Sequence, residues 1–128
     1  KGPVVLYFFP AAFTPGCTLE ANQFAEMAGE FKKQGATIIG VAADNIADLR
    51  RFSATECRNK FAVAVATPAM IKGFDVVLPQ FAGRSNRTSY VIAPNGQVVY
   101  AHSNPDYRGH VTGTLQAVKD WKIGQRRK

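Results

Sequence analysis

The chain has 128 residues, 46% of them hydrophobic, with seven prolines, eleven glycines and a formal net charge of +7. That length buries one core without metal or disulfide support, and the scattered Pro and Gly mark no linker, repeat or low-complexity tail, so one domain over residues 1–128 is expected. The apolar runs are strand-sized and the start, KGPVVLYFFP, has no signal-peptide pattern, so neither a membrane span nor a secretory leader is expected.

The basic excess sits in the second half, where residues 61–128 carry nine Lys or Arg against three Asp or Glu. These are not interleaved with aromatics, and the expectation is a solvated basic face rather than a nucleic-acid or membrane partner. Two cysteines forty residues apart, Cys17 and Cys57, match neither a zinc site nor a disulfide-dense scaffold. His102 and His110 are too few to argue for a metal and read as surface or hairpin-end residues.

Val4 to Phe9 is a β-branched and aromatic run, the pattern of a strand covered on both faces. The breaker-rich loop Pro10 to Gly16 follows, and then Leu19, Phe24, Met27, Ala28 and Phe31 recur at helical spacing up to Gly35, a candidate left-handed cap. Ala36 to Ala43 reads as a second buried strand. Asp44-Asn45 reads as an N-cap, and Ile46 to Lys60 as a second helix. Ala62 to Ala66 predicts a short strand, Pro68 to Gly73 a helical turn and Pro79 to Asn86 an irregular loop. Arg87 to Ala93, Pro94-Asn95-Gly96 and Gln97 to His102 predict a hairpin, and Gly109 to Lys122 a helix with Val111, Leu115, Val118 and Trp121 facing the core. The order β-α-β-α-β, hairpin, helix gives an α/β, thioredoxin-like sandwich: a central mixed sheet with helices on both faces.

Cys17 stands in the first turn of its helix, where unpaired amides and the macrodipole favour an anion, although a lone Cys is also often a small buried hydrophobe. An unperturbed thiol is only a few per cent ionised at neutral pH; helix N-termini and cations bring such groups to a pKa of roughly 3.5 to 7.5. Thr14-Pro-Gly-Cys17 keeps the spacing of a Cys-x-x-Cys motif with Thr in place of the first Cys, which excludes dithiol exchange within it. Glu20 reads as a first-turn carboxylate complementing the helix dipole, with no catalytic role.

Pro10-x-x-x-Thr14-x-x-Cys17 resembles the active-site motif of the peroxiredoxin superfamily. The stretch Phe13-Thr-Pro-Gly-Cys-Thr-Leu-Glu-Ala21, with Phe24 following, is most similar to its bacterioferritin-comigratory, or Q-type, class. Asp44, Arg87-Thr-Ser-Tyr-Val-Ile-Ala-Pro-Asn-Gly96 and the last helix extend the likeness over nearly the whole chain.

The resemblance implies a thiol peroxidase without cofactor or metal that acts on hydrogen peroxide and organic hydroperoxides. In that picture Cys17 is the attacking thiolate and Arg87 the cation beside it. Thr14 orients the peroxide, the amides of Gly16 and Cys17 stabilise the departing oxygen, and Pro10 shields the sulfur. Many members of this class keep a resolving Cys five residues on, where this chain has Asn22. Some carry it late in the second helix, which makes Cys57 the implied resolver, with local unfolding to bring the two within disulfide reach. Thioredoxin or a similar dithiol is the implied reductant. The alternatives are a one-Cys enzyme regenerated by an external thiol and an inactive thioredoxin-fold binding or chaperone module. A monomer or weak dimer is expected, with the cytoplasm favoured and the periplasm open. Relatives also carry strands ahead of Lys1-Gly2, which makes trimming of this chain an expectation as well.

Overall fold

The structure is a computed structural model, and it describes residues 2–10, 14–55, 60–74, 76, 85–104 and 106–126. The elements in chain order are β1 (Val4–Phe8), α1 (Pro15–Lys33), β2 (Thr37–Ala42), α2 (Ile46–Thr55), β3 (Ala62–Val65), α3 (Pro68–Gly73), β4 (Thr88–Ile92), β5 (Val98–Ser103) and α4 (His110–Arg126). The strands form one sheet in the order β3-β2-β1-β4-β5. β1, β2 and β3 run parallel, while β4 is antiparallel to β1 and to β5, which gives the expected mixed sheet.

β1 lies at the centre, and its alternation divides the core. Val5, Tyr7 and Phe9 pack on one face with Phe24 and Phe31 of α1, Leu49 and Phe52 of α2, and Val111, Leu115 and Val118 of α4. Phe8 turns to the other face and meets Val41, Ile71 and Val76, with Leu6, Phe74 and Tyr90 packed alongside. Aromatic rings tie the sheet to the helices: Tyr7 stacks on Phe24 at 4.4 Å between centroids and Phe9 on Phe52 at 5.3 Å.

Several local signals act as the sequence predicts. Gly35 adopts φ 80° after α1, its amide reaching Lys32 O at 2.9 Å while Ala36 N reaches Phe31 O at 2.9 Å, the two bonds of a Schellman ending. Asn45 caps α2 by accepting from Asp48 N at 2.9 Å. Gly96, at φ 89°, turns the β4–β5 hairpin.

Other boundaries differ. The helix predicted to reach Lys60 is helical through Thr55, and Lys60 itself lies in a bend; Cys57 falls outside the described residues, as does most of the predicted 79–86 loop. α4 runs four residues past its predicted end, to Arg126. In α1, Leu19 is 50% exposed whereas Cys17, Glu20, Ala21, Phe24 and Phe31 are buried. Phe24 and Phe31 keep their places on the apolar stripe, but its first-turn member is Cys17 and not Leu19, which faces the opposite side, and Glu20 falls on the inward face with Cys17.

Candidate active site

The centre of the sheet delivers both halves of the site. β1 ends at Phe8, which pairs with Thr88 at the start of β4, so Arg87 enters the sheet beside the point where the chain leaves it for α1. Ser85 fastens the same junction by donating from Oγ to Phe9 O at 3.0 Å. Pro10 follows as a half-buried bend residue. Thr14 is the N-cap of α1, Pro15 and Gly16 are its first two residues, and Cys17 is the third. The Gly16 and Cys17 amides thus belong to the first turn, whose N–H groups have no partner within the helix.

Cys17 is a free thiol with 1% exposure. Arg87, itself buried, donates from Nη2 toward Cys17 Sγ at 3.4 Å and from Nη1 to Glu20 Oε1 at 2.6 Å. Glu20 and Cys17 lie three residues apart on one face of α1, so a single guanidinium spans them. Gly16 makes room for it: a Cβ there would stand 2.9 Å from Arg87 Nη2. Arginine suits this position because its planar fork serves two partners at once and stays charged when buried.

Glu20 is the functional candidate that sequence reasoning missed. It does not stand in the first turn; it is fully buried, one turn further in. Burial pushes its carboxyl up to about 8, against the opposing pull of the Arg87 charge and hydrogen bond. Its second oxygen, Oε2, is buried without a hydrogen-bond partner and lies 3.6 Å from His110 Nδ1. A helical stripe counted from Cys17 through Ala21, Phe24 and Phe31 carries the signal, since it places residue 20 inside.

His110 is the second correction. It is no hairpin-end surface residue: it opens α4 fully buried, with Nδ1 2.7 Å from Ser89 Oγ and Nε2 2.9 Å from Asn104 O. A carbonyl only accepts, so Nε2 carries hydrogen, and in the neutral ring Nδ1 accepts from the Ser89 hydroxyl. Burial lowers its pKa to about 4, despite the Asn104 carbonyl, which favours the charged ring. His102 packs edge-on against it at 4.5 Å between centroids.

Thr14 is exposed and in an extended conformation; its carbonyl accepts from Thr18 N at 2.8 Å, and its side chain makes no capping hydrogen bond. Asn22, five residues after Cys17, donates back to Thr18 O at 3.0 Å. Among the described residues no three His, Cys, Asp or Glu side chains gather as a metal site, and no helix is long and apolar enough to cross a membrane. The geometry therefore brings together Cys17, Gly16, Thr14 and Arg87 at the start of α1, and adds Glu20 and His110 behind them. The arrangement holds a buried sulfur between the Arg87 guanidinium and the N-terminal end of α1.

Residues 1–101 match the AhpC/TSA family. Peroxiredoxin Bcp of Xanthomonas campestris pv. campestris is 33% identical over 121 residues, covering 91% of this chain and 76% of that protein. Chloroplastic peroxiredoxin Q of Arabidopsis thaliana is 33% identical over 116 residues, covering 90% of this chain but 54% of that protein, so the chain spans about half the length of this plant relative. Among solved structures, peroxidoxin BcpB of Mycobacterium tuberculosis superimposes with a TM-score of 0.85 at 30% identity, over 94% of this chain and 80% of that one. A shared thioredoxin-like sheet, a cysteine opening its first helix and this extent of likeness agree: the chain belongs to the AhpC/TSA family, among peroxiredoxins of the Bcp and Q type.

Proposed function

We propose that this chain is a thiol peroxidase. The observation that carries the reading is the Arg87 Nη2 contact at 3.4 Å to a buried Cys17 at the N-terminus of α1. The Cys17 thiolate attacks one oxygen of a peroxide, the O–O bond breaks, and the sulfur keeps that oxygen as a sulfenic acid while the other leaves as hydroxide or alkoxide and takes up a proton. Arg87 and the amides of Gly16 and Cys17 stabilise charge on the departing oxygen, and the Thr14 hydroxyl orients the peroxide. Pro10 limits water at the sulfur. Organic hydroperoxides join hydrogen peroxide as substrates, since the Xanthomonas campestris bacterioferritin comigratory protein, 32% identical over 94% of this chain, is described for alkyl peroxide reduction.

The sulfenic acid condenses with the Cys57 thiol, releasing water and forming a disulfide, and thioredoxin or a similar dithiol reduces it by exchange. Peroxide consumption by the purified protein with a dithiol donor is the deciding experiment. Turnover that disappears in Cys17→Ser supports the assignment, and turnover that survives there overturns it.

A further inference from the structure

The reading above leaves a charge problem at the heart of the site. When Cys17 is ionised, the thiolate and the Glu20 carboxylate face one guanidinium, and both are closed off from water. Two buried anions on one cation leave an uncompensated charge, which is costly. The neighbouring geometry contains the remedy: Glu20 Oε2, buried and without a hydrogen bond, faces His110 Nδ1 at 3.6 Å, with Ser89 Oγ 2.7 Å from the same nitrogen.

We propose that Glu20 and His110 together hold one proton whenever Cys17 is a thiolate, so that Arg87 is left with a single anion to neutralise. His110 is then a positioning residue that acts on the sulfur through Glu20 and Arg87. This deepens the peroxidase reading and rests on it for its purpose, though not for its test. The step is a proton movement only. The S–H bond of Cys17 breaks, one proton resides on Glu20 Oε2 or His110 Nδ1, and the buried set keeps its net charge.

The groups facing the pair are accounted for element by element among the described residues. From α1 comes Glu20 itself; from the residue before β4 comes Arg87 and from β4 the Ser89 hydroxyl; from β5 comes the His102 ring. The loop before α4 supplies the Asn104 carbonyl, and Asp106 acts from a distance while exposed and paired with Arg108. The Asn104 carbonyl fixes the hydrogen on Nε2, so the titrating position of the ring is Nδ1, the atom that faces Glu20. The raised carboxyl of Glu20 agrees in direction with a proton held there near neutral pH.

The coupling is reciprocal, so two measurements read it. In the unmodified protein, with Glu carboxyl carbons and His ring nitrogens isotope-labelled, NMR titration should show the pair losing its proton at a lower pH once Cys17 is alkylated, because the thiolate that favoured the proton has gone. An unmoved midpoint overturns the proposal without recourse to any variant. Second, His110→Gln, which keeps a donor for Asn104 O but binds no proton, should move the pH midpoint of Cys17 alkylation upward by roughly one unit, a tenfold change in thiolate population below it. Adding Glu20→Gln should bring the midpoint back, since a neutral amide needs no counter-proton; a merely structural role for His110 predicts no such rescue, and its absence overturns the proposal. Peroxide consumption assayed on the same samples keeps the readings apart: coupled titration without turnover would remove the peroxidase assignment and leave the proton-sharing pair standing.

Discussion

Arg87 and Glu20 form a buried ion pair 2.6 Å long across 67 residues of sequence, and it is this pair that aims the second guanidinium nitrogen at Cys17. A free arginine would lose the entropy of a long side chain each time it met the sulfur. Held by Glu20, it meets the sulfur already ordered.

Removing one partner should therefore cost more than removing both. Arg87→Met leaves the Glu20 carboxyl buried without its partner, a loss of about 1–3 kcal/mol because the carboxyl can take up a proton, whereas the double change Arg87→Met with Glu20→Met should recover most of it. Chemical denaturation of the three proteins measures this. Neither variant should regain rapid alkylation of Cys17 at neutral pH, since both lack the cation.

Gly16→Ala should separate chemistry from stability. Its new methyl carbon would lie 2.9 Å from Arg87 Nη2, and the guanidinium must move off the sulfur because the helix backbone cannot. Peroxide-driven oxidation of Cys17 should slow and its alkylation midpoint rise. The melting temperature should stay within a few degrees, and equal losses in both would argue for general misfolding instead.

The two shifted groups of the site make opposite contributions to stability against pH. Glu20 is raised in the fold, so its contribution is complete below its ordinary value of 4.5 and is lost as pH climbs towards about 8. His110 is lowered, so its contribution is complete above its ordinary value of 6.5 and is lost as pH falls towards about 4. The slopes oppose each other between these ordinary values, and only the Glu20 slope remains between about pH 6.5 and 8. Stability should fall across that upper window, and Glu20→Gln should flatten it; a wild-type curve that rises there would contradict the assignment.

Cys57→Ser tests the resolving step. The first oxidation of Cys17 should stay fast while turnover with a dithiol protein donor stops, and mass spectrometry after one equivalent of peroxide should show the Cys17–Cys57 bond in the parent protein alone. Normal cycling of the variant would transfer the resolving role to an external thiol.

The sequence by itself determined the local features: β1 from its β-branched run, the ends of α1 and α2 from Gly35 and Asn45, the hairpin turn from Pro94-Asn95-Gly96, and Cys17 at a helix N-terminus. Each depends on residues a few positions apart, and so does the motif from Pro10 to Cys17 that carried the family resemblance. Tertiary structure decided the rest. Glu20 reads as an ordinary first-turn carboxylate and His110 as a hairpin-end ring until the packing of α1 and α4 against the sheet closes water out around both. Burial of a charge is a property of what surrounds it, and the surroundings here come from residues 17, 20, 87, 89, 104 and 110, which no short window of sequence contains together.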